Sequence, residues 1–404
     1  MKKLVQINVT CNGSTGRIMN QIQQTAENEG WEAYSFFGRG KPANEKCIKI
    51  DTKIEILCHV FISRLLNMQG HCSILATYRL IKKMKKINPN IVHLHNIHGY
   101  YINYKILLKF LAKSEIPVVW TLHDCWAFTG HCASYTSNKC NKWQENCQNC
   151  KNIKEYPKSY FGAKRSKKEF LLKEKLINDI DNITFTVPSS WLRNETKKSF
   201  LKNKNIQIIH NFIDTSIFKP TVDYTIKDKY SIPKNKKIIL GVASVWTKEK
   251  GIDYFKQLSN IINMKKEIIV MVGLTKKQIK SLSSNIIGIK KIENIEDLVK
   301  LYSISNVFLN PSIQETFSMV TLEALACGVP CIVMNSTATP ELIKTKECGI
   351  IEQDFDLKKT YEDIQKIMED KEIKKRKEIA SNYDKSYVKQ YINLYETQIE
   401  RQGE

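Results

Sequence analysis

Residues 306–334 place the tightest limit on the fold. An apolar run, Asn306-Val307-Phe308-Leu309-Asn310, is stopped by Pro311; a polar loop, a helix-forming run, Gly328 and a second apolar run, Cys331-Ile332-Val333-Met334, follow. Short apolar runs bounded by proline and glycine read as strands, and Gly328 stands where a helix stops. The order is strand, loop, helix, strand. A loop feeding a helix in this way presents unpaired backbone N–H groups, here those of about Phe317, Ser318, Met319 and Val320, where a diphosphate is held by hydrogen bonds and the helix dipole. Glu315 precedes the helix. Glu323 lies roughly 6–8 Å beyond the anion site at about 1.5 Å rise per residue, a reach that suits a carboxylate accepting both hydroxyls of a ribose.

The same alternation runs through the rest of the chain. Lys3–Val9, Ala33–Phe37, Ile91–His95, Pro117–Leu122 and Ile183–Val187 read as strands, with a helix over Gly16–Gly30. A polar connection, roughly 219–235, separates these from a restart at Lys237–Ala243, a helix near Gly251–Asn263 and a strand at Ile268–Val272. Strands alternating with helices form parallel sheets covered on both faces, and 404 residues with 42% hydrophobic content can bury two cores. The expected architecture is α/β, with two doubly wound, Rossmann-like domains: 1–218, 219–380, and a terminal helix in 381–404. That last segment carries a Tyr387, Tyr391, Tyr395 stripe that must pack against something.

Net charge is +22 and uneven: residues 1–215 hold 33 Lys and Arg against 16 Asp and Glu, and the remainder 30 against 25. No zinc-finger, helix-turn-helix or aromatic RNA-platform pattern accompanies the charge, so nucleic acid is not the expected partner. An anionic membrane leaflet fits better, because Lys82, Lys83, Lys85 and Lys86 close the apolar-periodic segment Ile74–Ile81; a solvated helix is the open alternative. No apolar run approaches the ~20 residues of a membrane span, and the N-terminus meets polar residues too soon for a signal peptide. The expected location is the cytoplasm, peripheral at the inner face of the cell membrane. Twelve cysteines in such a chain point to buried thiols or metal ligands rather than disulfides.

The Glu-x7-Glu spacing of Glu315 and Glu323, with Leu-Glu-Ala-Leu-Ala-Cys-Gly-Val-Pro around the second member, resembles glycosyltransferase family 4, the retaining enzymes of the GT-B fold. The His-Leu-His-Asn-Ile-His-Gly and Trp-Thr-Leu-His-Asp-Cys-Trp segments are most similar to its capsule and exopolysaccharide branch, the colanic acid type. The resemblance implies two domains facing across a cleft, with the terminal helix crossing back onto the first. It also implies a hexosyltransferase that moves a sugar from a nucleoside diphosphate to a growing, lipid-linked glycan, without a catalytic cofactor. Glu323 would hold the ribose and Glu315 the sugar ring. Lys250 matches the family's Lys-Gly on the donor diphosphate. The arginine expected a few positions earlier is replaced by Ser244, Val245 and Trp246, so either Lys248 substitutes or the helix N–H groups carry more of the load. His123 matches the family's Thr-x-His-Asp histidine that reaches the sugar, with Asp124 beside it and His98 a second rim candidate at a strand's C-terminal end. Gly16, in the loop Asn12–Arg17, is assigned near the sugar by the same similarity.

Cys132, Cys140, Cys147 and Cys150 crowd an insert, 131–150, whose main apolar residue is Trp143. A region with so little to bury can be held by structural zinc, whose all-cysteine sites commonly include a Cys-x2-Cys knuckle; free thiols or a redox pair are the alternatives. Asp179-Ile180-Asp181 ends a helix before a strand and reads as solvated. Two other function classes fit the chain at this level: a nucleotide-sugar epimerase of GT-B shape, and a basic polyanion-binding protein without enzymatic activity.

Overall fold

Parallel pairing accounts for both sheets of the chain. The computed structural model describes residues 1–354, 356–369 and 373–403, so Glu404, at the end of the expected terminal helix, lies outside the described residues. Two units are resolved: unit 1 runs from Met1 to His210 and resumes at Ser386, and unit 2 is Asn211–Lys385.

Unit 1 contains β1 (Lys3–Thr10), β2 (Glu32–Arg39), β3 (Cys47–Lys49), β4 (Ile91–Leu94), β5 (Val118–Thr121), β6 (Ile183–Val187) and β7 (Asn205–Ile208), in the order β3-β2-β1-β4-β5-β6-β7. Its helices are α1 (Gly13–Asn28), α2 (Lys53–Leu66), α3 (Ile74–Ile87), α4 (Tyr104–Ser114), α5 (Ser166–Asn178) and α6 (Ser190–Lys197). β4, β5 and β6 are buried at every position, which is why Ile-Val-His-Leu, Val-Val-Trp-Thr and Ile-Thr-Phe-Thr-Val show little polar alternation.

Unit 2 contains β8 (Lys237–Val242), β9 (Glu267–Val272), β10 (Ile286–Ile289), β11 (Val307–Asn310), β12 (Cys331–Met334) and β13 (Gly349–Glu352), in the order β10-β9-β8-β11-β12-β13. Its helices are α7 (Thr225–Lys229), α8 (Ile252–Leu258), α9 (Lys276–Ile279), α10 (Ile295–Ser303), α11 (Met319–Ala326), α12 (Leu357–Ile367) and α13 (Ile373–Ser381). The chain passes between units at 210/211, earlier than the polar connection suggests. The reason is local: the Ile213 N–H donates to the Tyr383 carbonyl at 2.8 Å, and Ile213 and Phe218 join the core of unit 2.

The terminal helix, α14 (Val388–Gly403), returns to unit 1. Its tyrosine stripe finds its partners there. Tyr391 and Tyr395 are buried, Tyr395 meets the Trp31 ring edge-on at 5.9 Å, and its hydroxyl bonds His93 Nδ1 at 2.6 Å. No helix among the described residues is long and apolar enough to cross a membrane.

Candidate active site

The strand order of unit 2 reverses between β8 and β11, and the loops leaving these strands carry the expected donor ligands. Open parallel sheets bind ligands at such a switch point. Gly251 has a φ of 80°, and a Cβ there would lie 2.4 Å from Pro311 Cγ. Only glycine lets the two loops meet this closely. The Ile313 N–H donates to the Glu249 carbonyl at 3.0 Å. Lys250 Nζ donates to Glu315 Oε1 at 2.6 Å and to the Gln314 carbonyl at 3.2 Å, with 31% of the Lys250 side chain and 15% of that of Glu315 exposed. Glu315 is fixed from a third loop, its N–H donating to Thr337 Oγ1 at 2.9 Å and its carbonyl accepting from the Ala338 N–H at 3.2 Å.

At the start of α11, Ser318 adopts a left-handed conformation and makes no side-chain cap. Its hydroxyl is turned inward, accepting from Asn310 Nδ2 at 2.9 Å and pairing with Thr321 Oγ1 at 2.9 Å. The Ser318 side chain thus leaves the start of α11 uncapped, the condition an anion site at a helix N-terminus requires. Phe317 and Met319 flank Ser318 at this start. The Phe317 ring is buried edge-on to Tyr383 at 5.6 Å, and Met319 packs against the core. Glu323 is 3% exposed and accepts from the Tyr302 hydroxyl at 3.1 Å. Burial, and then the Glu323 charge, push the Tyr302 phenol well above its usual value and keep it a donor.

Where the family arginine is expected, Trp246 is buried and its indole N–H donates to the Val272 carbonyl at 2.8 Å, so that position serves the core. Lys248 is exposed, its carbonyl accepting from the Gly251 N–H at 2.9 Å. Asn310, Thr337 and Tyr302 escape the sequence reading. A polar residue closing an apolar strand, as Asn310 does, is the one signal that could have found any of them.

Unit 1 gathers its polar side chains at the C-terminal ends of β4 and β5. His95 Nε2 bonds Gln6 Oε1 at 3.2 Å, while Gln6 Nε2 donates to the Met19 carbonyl at 3.0 Å. An amide oxygen only accepts, so His95 carries its proton on Nε2, and its Nδ1 accepts from His123 Nε2 at 3.0 Å. Burial pushes His123 down to about 4 and His95 well below its ordinary value, so both rings are neutral at pH 7. His98 bonds Asp124 Oδ2 at 2.7 Å and the Tyr156 hydroxyl at 3.1 Å. Burial raises Asp124, but the His98 charge and the bonds from His98 and the Trp126 N–H outweigh it and hold the carboxyl below its usual range. Gly16 is buried in α1, where a Cβ would lie 2.3 Å from the Cys11 carbonyl carbon. Close approach of helix to loop is a sufficient reason for that glycine.

The insert expected to carry a four-thiol zinc site holds Cys132, Cys140, Cys147 and Cys150. Among the described residues no group of three or more His, Cys, Asp or Glu is placed to hold a metal ion, and all four cysteines are free thiols. A hydrogen bond between the Cys132 and Cys150 thiols, together with burial, raises Cys132, and the same hydrogen bond lowers Cys150 against the opposing effect of burial. The insert has an aromatic core. Trp143 is 1% exposed, stacked on Tyr135 at 4.7 Å and against Phe128 at 5.3 Å. Lys173 of α5 ties it down, donating to the Trp126 and Thr129 carbonyls at 2.7 and 2.9 Å with its ammonium 3.5 Å from the Trp126 ring.

Residues 21–217 match Glycosyltransferase Family 4, and residues 223–386 match Glycosyl transferases group 1. A curated relative of Escherichia coli (strain K12), assigned by name to colanic acid biosynthesis as the glycosyl transferase WcaC, is 27% identical over 38% of this chain and 40% of its own length. The match thus spans less than half of that relative. Among solved structures, sucrose-phosphate synthase from Thermosynechococcus elongatus superposes with a TM-score of 0.72 at 14% identity, covering 98% of this chain and 99% of that one. Anabaena HepE in complex with UDP-glucose gives 0.66 at 12% identity, covering 98% and 100%. With its two halves matched in this order and the fold shared over nearly its whole length, the chain belongs to glycosyltransferase family 4, of the GT-B fold.

Proposed function

We propose that the protein is a retaining hexosyltransferase that moves a sugar from a nucleoside diphosphate to a hydroxyl of a growing, lipid-linked surface glycan at the inner membrane face. The observation that carries this reading is the Lys250–Glu315 pair beside the start of α11, with Glu323 eight residues beyond Glu315. The name of the Escherichia coli relative supports the surface-glycan class, and the UDP-glucose held by Anabaena HepE supports the donor class.

In this reading the donor diphosphate lies on the first turn of α11 and draws Lys250 away from Glu315. One ammonium then answers the charge that grows on the leaving diphosphate, together with backbone N–H groups already pointing at it. Glu315, released, accepts from hydroxyls of the sugar ring, and Glu323 accepts from the ribose. No protein nucleophile and no metal take part, so turnover survives EDTA.

The test is turnover of uridine and guanosine diphosphate sugars with a polyprenyl-diphosphate-linked saccharide, the product read by NMR. The expected product keeps the anomeric configuration of the donor. Glu315→Gln slows turnover, leaves activity measurable and traps no sugar. An inverted product, a glycosyl-enzyme on Glu315, or an altered free sugar nucleotide formed without acceptor would each contradict the reading.

A further inference from the structure

We infer that the outward face of α2 docks the protein on an anionic phospholipid bilayer. This deepens the membrane part of the proposed function by naming the surface involved, and it stands on observations separate from the donor site.

α2 is amphipathic the wrong way round for a surface helix. The side chains it buries are His59 and Ser63, at 0% and 2% exposure, and His59 is held by hydrogen bonds and by an edge-on contact with Tyr100 at 5.9 Å. The Gly70 N–H donates to His59 Nε2 at 2.9 Å, His59 Nδ1 bonds Ser73 Oγ at 2.9 Å, and Ser73 Oγ donates to Asp51 Oδ2 at 3.0 Å. Facing out are Ile54, Leu57, Phe61 and Leu65, exposed by 75%, 67%, 68% and 38% at helical spacings of three and four. Surface helices normally show the reverse pattern, because apolar area left in water costs free energy.

The apolar surface continues beyond α2. Its last carbonyls hold the loop after Lys158: the Tyr160 N–H and Ser159 Oγ donate to the Arg64 carbonyl at 2.7 and 2.9 Å. That loop exposes Tyr160 and Phe161. α3, the helix the sequence marks for a membrane, adds Ile74, Leu75 and Tyr78 but turns Leu80, Ile81 and Met84 into the core. The larger outward face therefore belongs to α2.

Charge selects the occupant. Residues 53–87 carry seven Lys and Arg and one acid, Glu55, which is committed to Arg79 at 2.5 Å and to capping α2. Residues 158–168 carry five cations and no acid. A second copy of the chain would set like charges against like across a self-complementary contact, whereas an anionic headgroup layer answers all of them while the apolar side chains enter the acyl boundary.

The test is cosedimentation of the full chain with vesicles of phosphatidylglycerol and phosphatidylcholine, and with phosphatidylcholine alone. Wild type is expected to bind the first and bind the second weakly. A Leu57→Ser, Phe61→Ser double variant is expected to lose on the order of a hundredfold in partitioning, about tenfold for each apolar side chain no longer buried in lipid. Both side chains are exposed, so its melting temperature does not fall. Lys158→Glu with Lys164→Glu is expected to weaken binding to the anionic vesicles alone. Absence of wild-type binding, or unchanged binding by the serine variant, would overturn the inference. So would a wild-type dimer in sedimentation velocity that the serine variant converts to monomer. Nucleotide binding, measured without lipid, separates the two claims: a protein that binds nucleoside diphosphate but not vesicles loses only the docking, and one that binds vesicles but no nucleotide loses only the transferase reading.

Discussion

Lys250 faces a choice of anions. Glu315 lies 2.6 Å from its ammonium, and a diphosphate at the start of α11 would compete for the same group. The two loops can face each other because Gly251 takes a backbone conformation and a closeness that a side chain forbids. Gly251→Ala is therefore expected to destabilise unit 2 by about 2 kcal/mol or more and to weaken nucleotide binding, read by chemical denaturation and calorimetry on one preparation. Unchanged stability would mean that Pro311 gives way without cost. Lys250, Glu315 and Glu323 are legible in the sequence because each belongs to a short contiguous pattern. Tyr302 and Thr337 are not, since they matter only through the helix α10 and the loop after β12 that carry them to Glu323 and Glu315.

At the level of elements, the long apolar strands and the helix after Pro311 follow from the sequence, and the weak ones do not. β3 has three residues, β10 contains Gly288, and β13 is an edge strand opened by Gly349, so none shows a run that marks it locally. The core of the cysteine insert is hidden from the sequence for a related reason. Its hydrophobic partners, Phe128 and Tyr135, are spaced along irregular chain, and its anchor, Lys173, comes from α5. Trp143→Ala should cost unit 1 about 3–5 kcal/mol through lost aromatic packing, with or without added zinc. A stability set by zinc, with the alanine variant unaffected, would place the insert under metal control.

The whole molecule divides its charge and its titrating groups unevenly. All eight histidines lie between residues 59 and 210, in unit 1. Burial pushes His59 down to about 3, His123 and His131 to about 4, and His93 and His95 well below their ordinary value. The unfolded chain binds these protons near pH 6.5 and the folded one resists them, so their contribution is whole above about 6.5 and is lost as pH falls toward about 4. His131 alone is worth about 3 kcal/mol over that window. Unit 1 is thus expected to melt first on acidification, with Trp143→Ala lowering its transition further; calorimetric scans from pH 7 to pH 4 that lose both transitions together would count against this.

The socket at α11 stands or falls on how it divides a nucleotide between two side chains. Calorimetry of uridine and guanosine, and of their diphosphates, against wild type, Lys250→Ala and Glu323→Gln measures that division directly. Lys250→Ala should weaken the diphosphate by about 1–3 kcal/mol and spare the nucleoside, and Glu323→Gln should weaken nucleoside and diphosphate alike by a similar amount. If both variants bind every ligand as wild type does, the nucleotide site is not at this helix.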